Sequence, residues 1–213
     1  MDPRYLITEA LYDDDAVDLV VVALTFAAIF VVELPDKTFL ATLVLSTKFR
    51  PLYVWVGVGL AFAVQVGIAV ALGTAAALLP ARVVQTAAGL LFLAGAALLL
   101  REARSHDAAE DGADFAAKAR DVHGWKAIGA SFLVLFAAEW GDLSQLLTLS
   151  LVAKYDDPLS VFVGSLAALL TVSGLAVLVG RWLLQRIALS RLHYAGALVC
   201  LVLAGVTFYD LLR

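Results

Sequence analysis

Cysteine and histidine are scarce in this sequence. Of its 213 residues, one is cysteine (Cys200) and three are histidine. The single cysteine excludes a disulfide within the chain and a metal site built from several cysteines. Charged residues are also few, at 16%, and no basic stretch suggests nucleic-acid binding. With so few charges to face water, the sequence does not fit a soluble domain.

Hydrophobic residues make up 62% of the chain. They form six runs of about the length that crosses a bilayer as a helix, which is ~20 residues. The runs span residues 17–46, 52–79, 82–100, 126–153, 158–184 and 190–212. We therefore expect an all-α membrane protein with six transmembrane helices.

Basic residues in the connections predict the orientation. The first, third and fifth connections hold ten lysines and arginines, whereas the opposite face holds four. Because positive charge collects on the cytoplasmic side, both termini are predicted to be extracytoplasmic. Residues 1–18 would then form an acidic extracytoplasmic tail, and residues 101–124 a cytoplasmic linker.

The two halves of the sequence are related. Residues 33–38 (Glu-Leu-Pro-Asp-Lys-Thr) match residues 139–144 (Glu-Trp-Gly-Asp-Leu-Ser) at an offset of 106. Residues 19–100 and 125–213 are therefore predicted to form two repeats of three helices each. An odd number of spans makes the second repeat enter the membrane from the opposite side. Such inverted-topology repeats are typical of secondary transporters.

Both copies of the motif place carboxylates at predicted membrane depth. Each of Glu33, Asp36, Glu139 and Asp142 would cost ~2.5–3.5 kcal/mol at the bilayer centre, which favours a functional role. Glutamate and aspartate three residues apart lie on one side of a helix, and inverted repeats can bring the two pairs together. We expect these four carboxylates to bind a cation and to carry the exchanged protons.

The motif residues Pro35 and Gly141 predict that the first and fourth spans are broken or kinked. These two runs would be ~42–45 Å long as continuous helices, against a hydrocarbon core of ~30 Å; strong tilt is the alternative. A break would free backbone carbonyls as ligands and would let Thr38 and Ser144 turn towards the carboxylates.

Carboxylates, hydroxyls and carbonyls together form an all-oxygen ligand set, which suits calcium or manganese better than zinc or copper. Carboxylates must lose their protons to bind metal, and clustered carboxylates repel one another once the metal leaves. Metal and protons then compete for one site, so alternating exposure of that site would exchange a cation for protons. The chain is expected to be a transporter rather than an enzyme, with no resident cofactor.

Four further polar residues are candidates for supporting roles. Lys37 has no basic counterpart, since Leu143 occupies the equivalent position; it would either neutralise the empty site or pair with Asp36. Gln65, Gln145 and Ser173 are secondary candidates, with contacts between helices as the alternative reading.

At its two motifs the sequence resembles the GDT family of cation/proton exchangers, which is placed near the lysine-exporter-like superfamily. The resemblance covers essentially the whole chain. The family pattern in each three-helix half is glutamate, an apolar residue, glycine, aspartate, lysine or arginine, then serine or threonine. Two residues depart from it, Pro35 at the first glycine and Leu143 at the second basic position.

This resemblance implies that six residues bind the transported cation: Glu33, Asp36, Thr38, Glu139, Asp142 and Ser144. It also implies Mn²⁺ as the favoured substrate, Ca²⁺ as a second candidate, and export across the plasma (inner) membrane of a prokaryote.

Two other functions fit the sequence less well than cation exchange. An exporter of amino acids or other small organic solutes would need a roomy site of mixed charge, whereas this site offers four acids and Lys37. An intramembrane aspartyl protease typically carries Gly-x-Gly-Asp, whereas Glu139 stands three residues before Asp142.

Overall fold

The structure is a computed structural model that describes residues 17–34, 36–76, 78–102, 104, 124–186 and 189–212. This part of the chain contains eight α-helices and no β-strand. In chain order they are α1 (Leu19–Glu33), α2 (Lys37–Lys48), α3 (Pro51–Ala76), α4 (Ala81–Glu102), α5 (Lys126–Ala138), α6 (Leu143–Tyr155), α7 (Pro158–Arg186) and α8 (Leu189–Leu212). The predicted all-α fold class is confirmed. Most of the predicted tail and linker, including residues 1–16 and 105–123, lies outside the described residues.

Local sequence signals explain where these helices begin. The Asp18 carboxylate caps α1 by accepting from the backbone N–H groups of Val20 (2.7 Å) and Val21 (3.3 Å). Helices α3 and α7 both start at a proline, Pro51 and Pro158. Proline suits the first helical position because the backbone N–H that it lacks has no partner there.

Three helices are long and apolar enough to cross a membrane by themselves, namely Pro51–Ala76, Arg82–Arg101 and Pro158–Leu178. Two bent pairs also qualify when each pair is taken as one span: α1 with α2, bent by 70°, and α5 with α6, bent by 72°. The described residues therefore provide three to five candidate spans, against the six predicted. Helix α8 contributes a shorter apolar stretch, Gly196–Tyr209.

The outer surface of the bundle is apolar. Leu78, Leu133, Leu178 and Leu198 come from different parts of the chain, and each is more than half exposed. In water this surface would be unfavourable, whereas lipid tails solvate it well. Apolar helices with outward-facing leucines are the features of an integral membrane protein.

The long helices α3 and α7 pack mainly against helices of the other half of the chain. The long helix α3 packs against α5 and α6, the bent pair of the second half. The long helix α7 packs in the same way against α1 and α2, the bent pair of the first half. Helices α3 and α7 also contact each other, as do α4 and α8. The two bent pairs also contact each other, α1 with α6 and α2 with α5.

A glycine lies at the crossing of α3 with α5, and another at the crossing of α7 with α1. A Cβ atom added at Gly57 in α3 would overlap the backbone oxygen of Ile128 and lie 2.9 Å from the Cβ of Ser131 in α5. A Cβ added at Gly164 in α7 would lie 2.7 Å from the backbone oxygen of Val22 and 2.9 Å from the Cβ of Thr25 in α1. Both helix pairs approach too closely to accept a side chain at these glycines.

Candidate cation site

Both motifs occupy the breaks between two helices. Glu33 is the last residue of α1 and Asp36 is the N-cap of α2, while Glu139 is the C-cap of α5 and Asp142 the N-cap of α6. The same turn closes each motif: the Asp36 N–H donates to the Glu33 carbonyl at 3.0 Å, and the Asp142 N–H to the Glu139 carbonyl at 3.2 Å. The predicted interruption of both spans is thus present at the motifs, although Pro35 itself lies outside the described residues.

Gly141 allows the second break. Its φ is +78°, a left-handed conformation that glycine adopts without the clash that a Cβ causes. A Cβ built on Gly141 would meet nothing within 4 Å, so the requirement for glycine comes from the backbone rather than from crowding.

Three carboxylates from the two halves converge between these breaks. Glu33, Glu139 and Asp142 each offer one oxygen, and the three atoms lie within 4.8 Å of one another. Glu33 is 0% exposed and Glu139 is 5% exposed, while Asp142 is half-buried. Asp36 is also half-buried, but it does not belong to this group of three.

Glu33 is the deepest of the three. Neither of its carboxylate oxygens has a hydrogen-bond partner in good geometry among the described residues, although Glu139, Asp36, Asp142 and the Ser144 hydroxyl are its polar neighbours. A carboxylate buried among three other acids is strongly unfavourable when ionised. A bound cation or a proton would remove this penalty.

The two motif hydroxyls lie at the same place. Thr38 is 1% exposed and donates to Glu139, with a longer contact of 3.4 Å to Asp36. Ser144 is 4% exposed, and its backbone N–H donates to the Asp142 carboxylate at 3.3 Å. The Thr38–Glu139 hydrogen bond joins the first motif to the second.

Helix termini add to the electrostatics of the site. The N-termini of α2 and α6, whose N-cap residues are Asp36 and Asp142, carry partial positive charge, and the C-termini of α1 and α5 carry partial negative charge. The last carbonyls of a helix lack intrahelical partners and are therefore available as oxygen ligands. Carboxylates, hydroxyls and carbonyls within one small volume can coordinate a hard divalent cation.

The supporting candidates have different surroundings. Gln65 and Gln145 hydrogen-bond to each other at 2.8 Å, beside the second break. Ser173 is fully buried, but its hydroxyl donates to the Leu170 carbonyl one turn earlier in α7. The side chain of Lys37 lies outside the described part of the chain, so neither predicted role of this residue is tested.

Sequence reasoning missed three buried hydroxyls. Thr25, Thr42 and Ser131 are fully buried and their oxygens have no hydrogen-bond partner among the described residues. The repeat offset of 106 was a signal available for two of them, since it relates Thr25 to Ser131. Both lie at the glycine crossings described above.

Comparison with known proteins finds one protein family whose model matches both halves of the chain. The model of the family described as "Divalent cation/proton antiporter GDT1" matches residues 21–107 and again residues 127–213. No solved structure matches the chain.

Curated relatives agree with this family. The chain is 30% identical to GDT1-like protein sll0615 of Synechocystis sp. over 192 residues, which cover 85% of this chain and 93% of the relative. It is 30% identical to the chloroplastic protein PAM71 of Arabidopsis thaliana over 210 residues, 89% of this chain and 56% of PAM71. The chloroplastic PAM71 homologue of the same plant is 39% identical over 85 residues, 40% of this chain and 22% of the relative.

These matches confirm the predicted resemblance, and they also confirm that the chain is a transporter and not an enzyme. The protease alternative is thereby removed. With apolar helices built around an acidic centre and a family model that matches both halves, the chain is an integral membrane protein that belongs to the GDT1 family of divalent cation/proton antiporters.

Proposed function

We propose that this protein exports Mn²⁺ from the cytoplasm in exchange for protons, with Ca²⁺ as a second substrate, by alternating access to one site between the two halves. The observation that carries this proposal is the convergence of Glu33, Glu139 and Asp142 within 4.8 Å, at the breaks of two bent pairs. The unpartnered oxygens of Glu33 support it, because they need a cation or a proton.

The architecture in this proposal is six spans in two inverted repeats. The two family matches, 21–107 and 127–213, are displaced by 106 residues, the same offset as the two motifs. The crossing of Gly57 with α5 and that of Gly164 with α1 are one contact made twice with the halves exchanged. Helix α8, with 24 residues, would be the sixth span at ~36 Å.

The proposed repeats are residues 19–100 and 125–213, joined by the linker 101–124. The predicted orientation places this linker in the cytoplasm, with the tail 1–18 and the C-terminus outside, in a prokaryotic plasma membrane.

The proposed ligands are the six motif residues. Glu33, Glu139 and Asp142 form the group of three, and Ser144 lies beside Glu33. Asp36 completes the set through Thr38, whose hydroxyl contacts both Asp36 and Glu139. Cation binding would draw Asp36 towards the other three carboxylates.

Competition between metal and protons would couple the two fluxes. With a divalent cation bound, the carboxylates are ionised and share its positive charge; without it, at least one must take up a proton because like charges in a low dielectric repel strongly. The four carboxylates Glu33, Asp36, Glu139 and Asp142 would therefore carry protons inward after releasing the cation outside.

Two separate arguments indicate which ion is transported: the chemistry of the ligands and the family resemblance. All-oxygen ligands suit both Mn²⁺ and Ca²⁺, and the spacing of the three carboxylates accommodates either ion. The preference for Mn²⁺ follows from the resemblance to bacterial members of the family. An organic solute is a poorer fit, because the described site is small and acidic.

The test is Mn²⁺-dependent proton movement in liposomes that contain the purified protein, with Ca²⁺ as competitor. We expect Asp36→Asn and Asp142→Asn each to abolish both the Mn²⁺ flux and the coupled proton flux. Continued Mn²⁺ flux in either variant, with no proton movement, would contradict the antiport mechanism.

A further inference from the structure

Two glutamines and the second motif form a continuous chain of hydrogen bonds. The Gln65 Nε2 atom in α3 donates to the Phe136 carbonyl at 2.9 Å. The Gln145 Nε2 atom in α6 donates to the Gln65 Oε1 atom at 2.8 Å. The backbone N–H of Gly141 donates in turn to the Gln145 Oε1 atom at 2.9 Å. We call this chain the amide clamp.

The amide clamp satisfies backbone groups that the helix break leaves without helical partners. Phe136 lies in the last turn of α5, where carbonyls have no N–H of the same helix to accept from. Gly141 lies between the helices, so its N–H is likewise outside any helical ladder. The clamp ties both ends of the break to α3, and Glu139 and Asp142 lie within or directly after the segment that it holds.

The amide oxygens are already used within the clamp. Gln65 Oε1 accepts from Gln145, and Gln145 Oε1 accepts from Gly141. These hydrogen bonds favour a role in positioning over direct coordination of the cation.

Among the described residues, the first break has no equivalent of the amide clamp. At the repeat offset of 106, Gln145 corresponds to Phe39 and Gly141 to Pro35; at 107, which aligns the two long helices, Gln65 corresponds to Val172. Phe39 and Val172 are both 1% exposed and belong to one apolar cluster. Proline has no backbone N–H to donate, so the Gly141 hydrogen bond cannot have a counterpart in the first motif.

We propose that Gln65 and Gln145 are positioning residues that hold the second break so that Glu139 and Asp142 face Glu33, and that they thereby set the affinity for the divalent cation. This inference rests on the proposed function. It assigns this polar positioning to the second break alone, since the apolar side chains of Phe39 and Val172 occupy the equivalent positions around the first break.

The first experiment measures Mn²⁺ transport by Gln65→Met and Gln145→Met in liposomes. Methionine fills a similar volume without a donor or a strong acceptor. We expect the Mn²⁺ concentration at half-maximal rate to rise about tenfold, the lower end of the effect seen when residues that orient metal ligands are replaced, with a smaller change in maximal rate. Gln85→Met in α4 is the matched control and should behave like the wild type, since Gln85 lies outside the clamp.

A second variant separates positioning from packing. Gln65→Val combined with Gln145→Phe installs around the second break the residue types found at the equivalent positions around the first, Val172 and Phe39. We expect this double variant to keep the raised Mn²⁺ requirement, because it fills space without making the hydrogen bonds. Recovery of wild-type transport would overturn the proposal, as would wild-type Mn²⁺ affinity in both methionine variants.

A third measurement does not depend on transport. Amide hydrogen exchange at Gly141, followed in ¹⁵N-glycine-labelled protein, should be faster in Gln145→Met than in the wild type, because the N–H loses its acceptor. Unchanged exchange would contradict the clamp. If the wild-type protein moved no Mn²⁺ while exchange at Gly141 increased as expected, the proposed function would fail but the clamp would stand.

Discussion

Among the residues of the candidate site, Glu33 has the carboxylate that most clearly requires a bound cation or a proton, because it is fully buried among other acids. We predict that Glu33→Gln removes the increase in melting temperature that Mn²⁺ gives to the wild-type protein, because ligand stabilisation scales with affinity for the folded state. Without metal, the variant should be at least as stable as the wild type, since a neutral amide replaces a buried acid among other acids. Thermal unfolding in detergent with and without Mn²⁺ measures both effects.

The control for this substitution is Asp156→Asn, which removes one exposed carboxylate outside the site. It should retain the full Mn²⁺-dependent increase in melting temperature. An equal increase in Glu33→Gln would exclude Glu33 from the cation site.

The hydroxyl of Thr38 joins the two motifs through Glu139. We predict that Thr38→Val lowers the apparent Mn²⁺ affinity about tenfold, whereas Thr38→Ser, which has the residue type found at Ser144, stays close to the wild type. Thr42→Val on the same helix is a matched control, because the buried Thr42 hydroxyl has no partner in the described structure. Equal losses in both valine variants would show that the hydroxyl of Thr38 has no special role.

For the candidate site, the sequence indicates which residues to consider but not how they pair. The repeated motif identifies Glu33 and Glu139 because a carboxylate at membrane depth is costly wherever it points. Sequence does not reveal that Thr38 meets Glu139, since that contact depends on how two bent pairs cross. It identifies Gln65 and Gln145 only as candidates, because an amide in an apolar helix has many available partners.

At the scale of helices, the two glycine crossings set the distance between α3 and α5 and between α7 and α1. We predict that Gly57→Ala and Gly164→Ala each destabilise the protein by ~1–3 kcal/mol, the range for overpacking a close contact, and reduce Mn²⁺ transport. Gly67→Ala, on the same helix as Gly57, has nothing within 4 Å of the added Cβ and should be close to neutral. Thermal stability and transport rates of the three variants check this.

Sequence analysis could identify Gly57 and Gly164 as equivalent positions, but not their partners. The offset of 107 relates the two glycines, and small residues often mark helix contacts in membranes. That Gly57 meets Ile128 and Gly164 meets Val22 is a property of the folded bundle. Helix breaks were easier to anticipate, because glycine and proline act through the local backbone.

For the whole molecule, the proposed six spans predict which connections share a side of the membrane. In a Cys200→Ala background, the exposed positions Leu79→Cys and Asp156→Cys should react with an impermeant thiol reagent in intact cells. Arg50→Cys and Arg104→Cys should react fully only after permeabilisation, with at least a severalfold increase in labelling. Equal labelling of Leu79→Cys and Arg104→Cys in intact cells would show that α4 does not cross the membrane.

The reciprocal glycine contacts have a consequence for how such a chain can arise. Each long helix finds its closest crossing partner in the other half, so each half acts as the docking surface for its counterpart. In the inverted arrangement proposed above, an ancestral three-helix protein could have used the same contact between two copies of itself inserted in opposite orientations. Fusing the two copies would have freed the two breaks to diverge separately, and the amide clamp at the second break, with apolar residues at the equivalent positions around the first, is the outcome that such freedom permits.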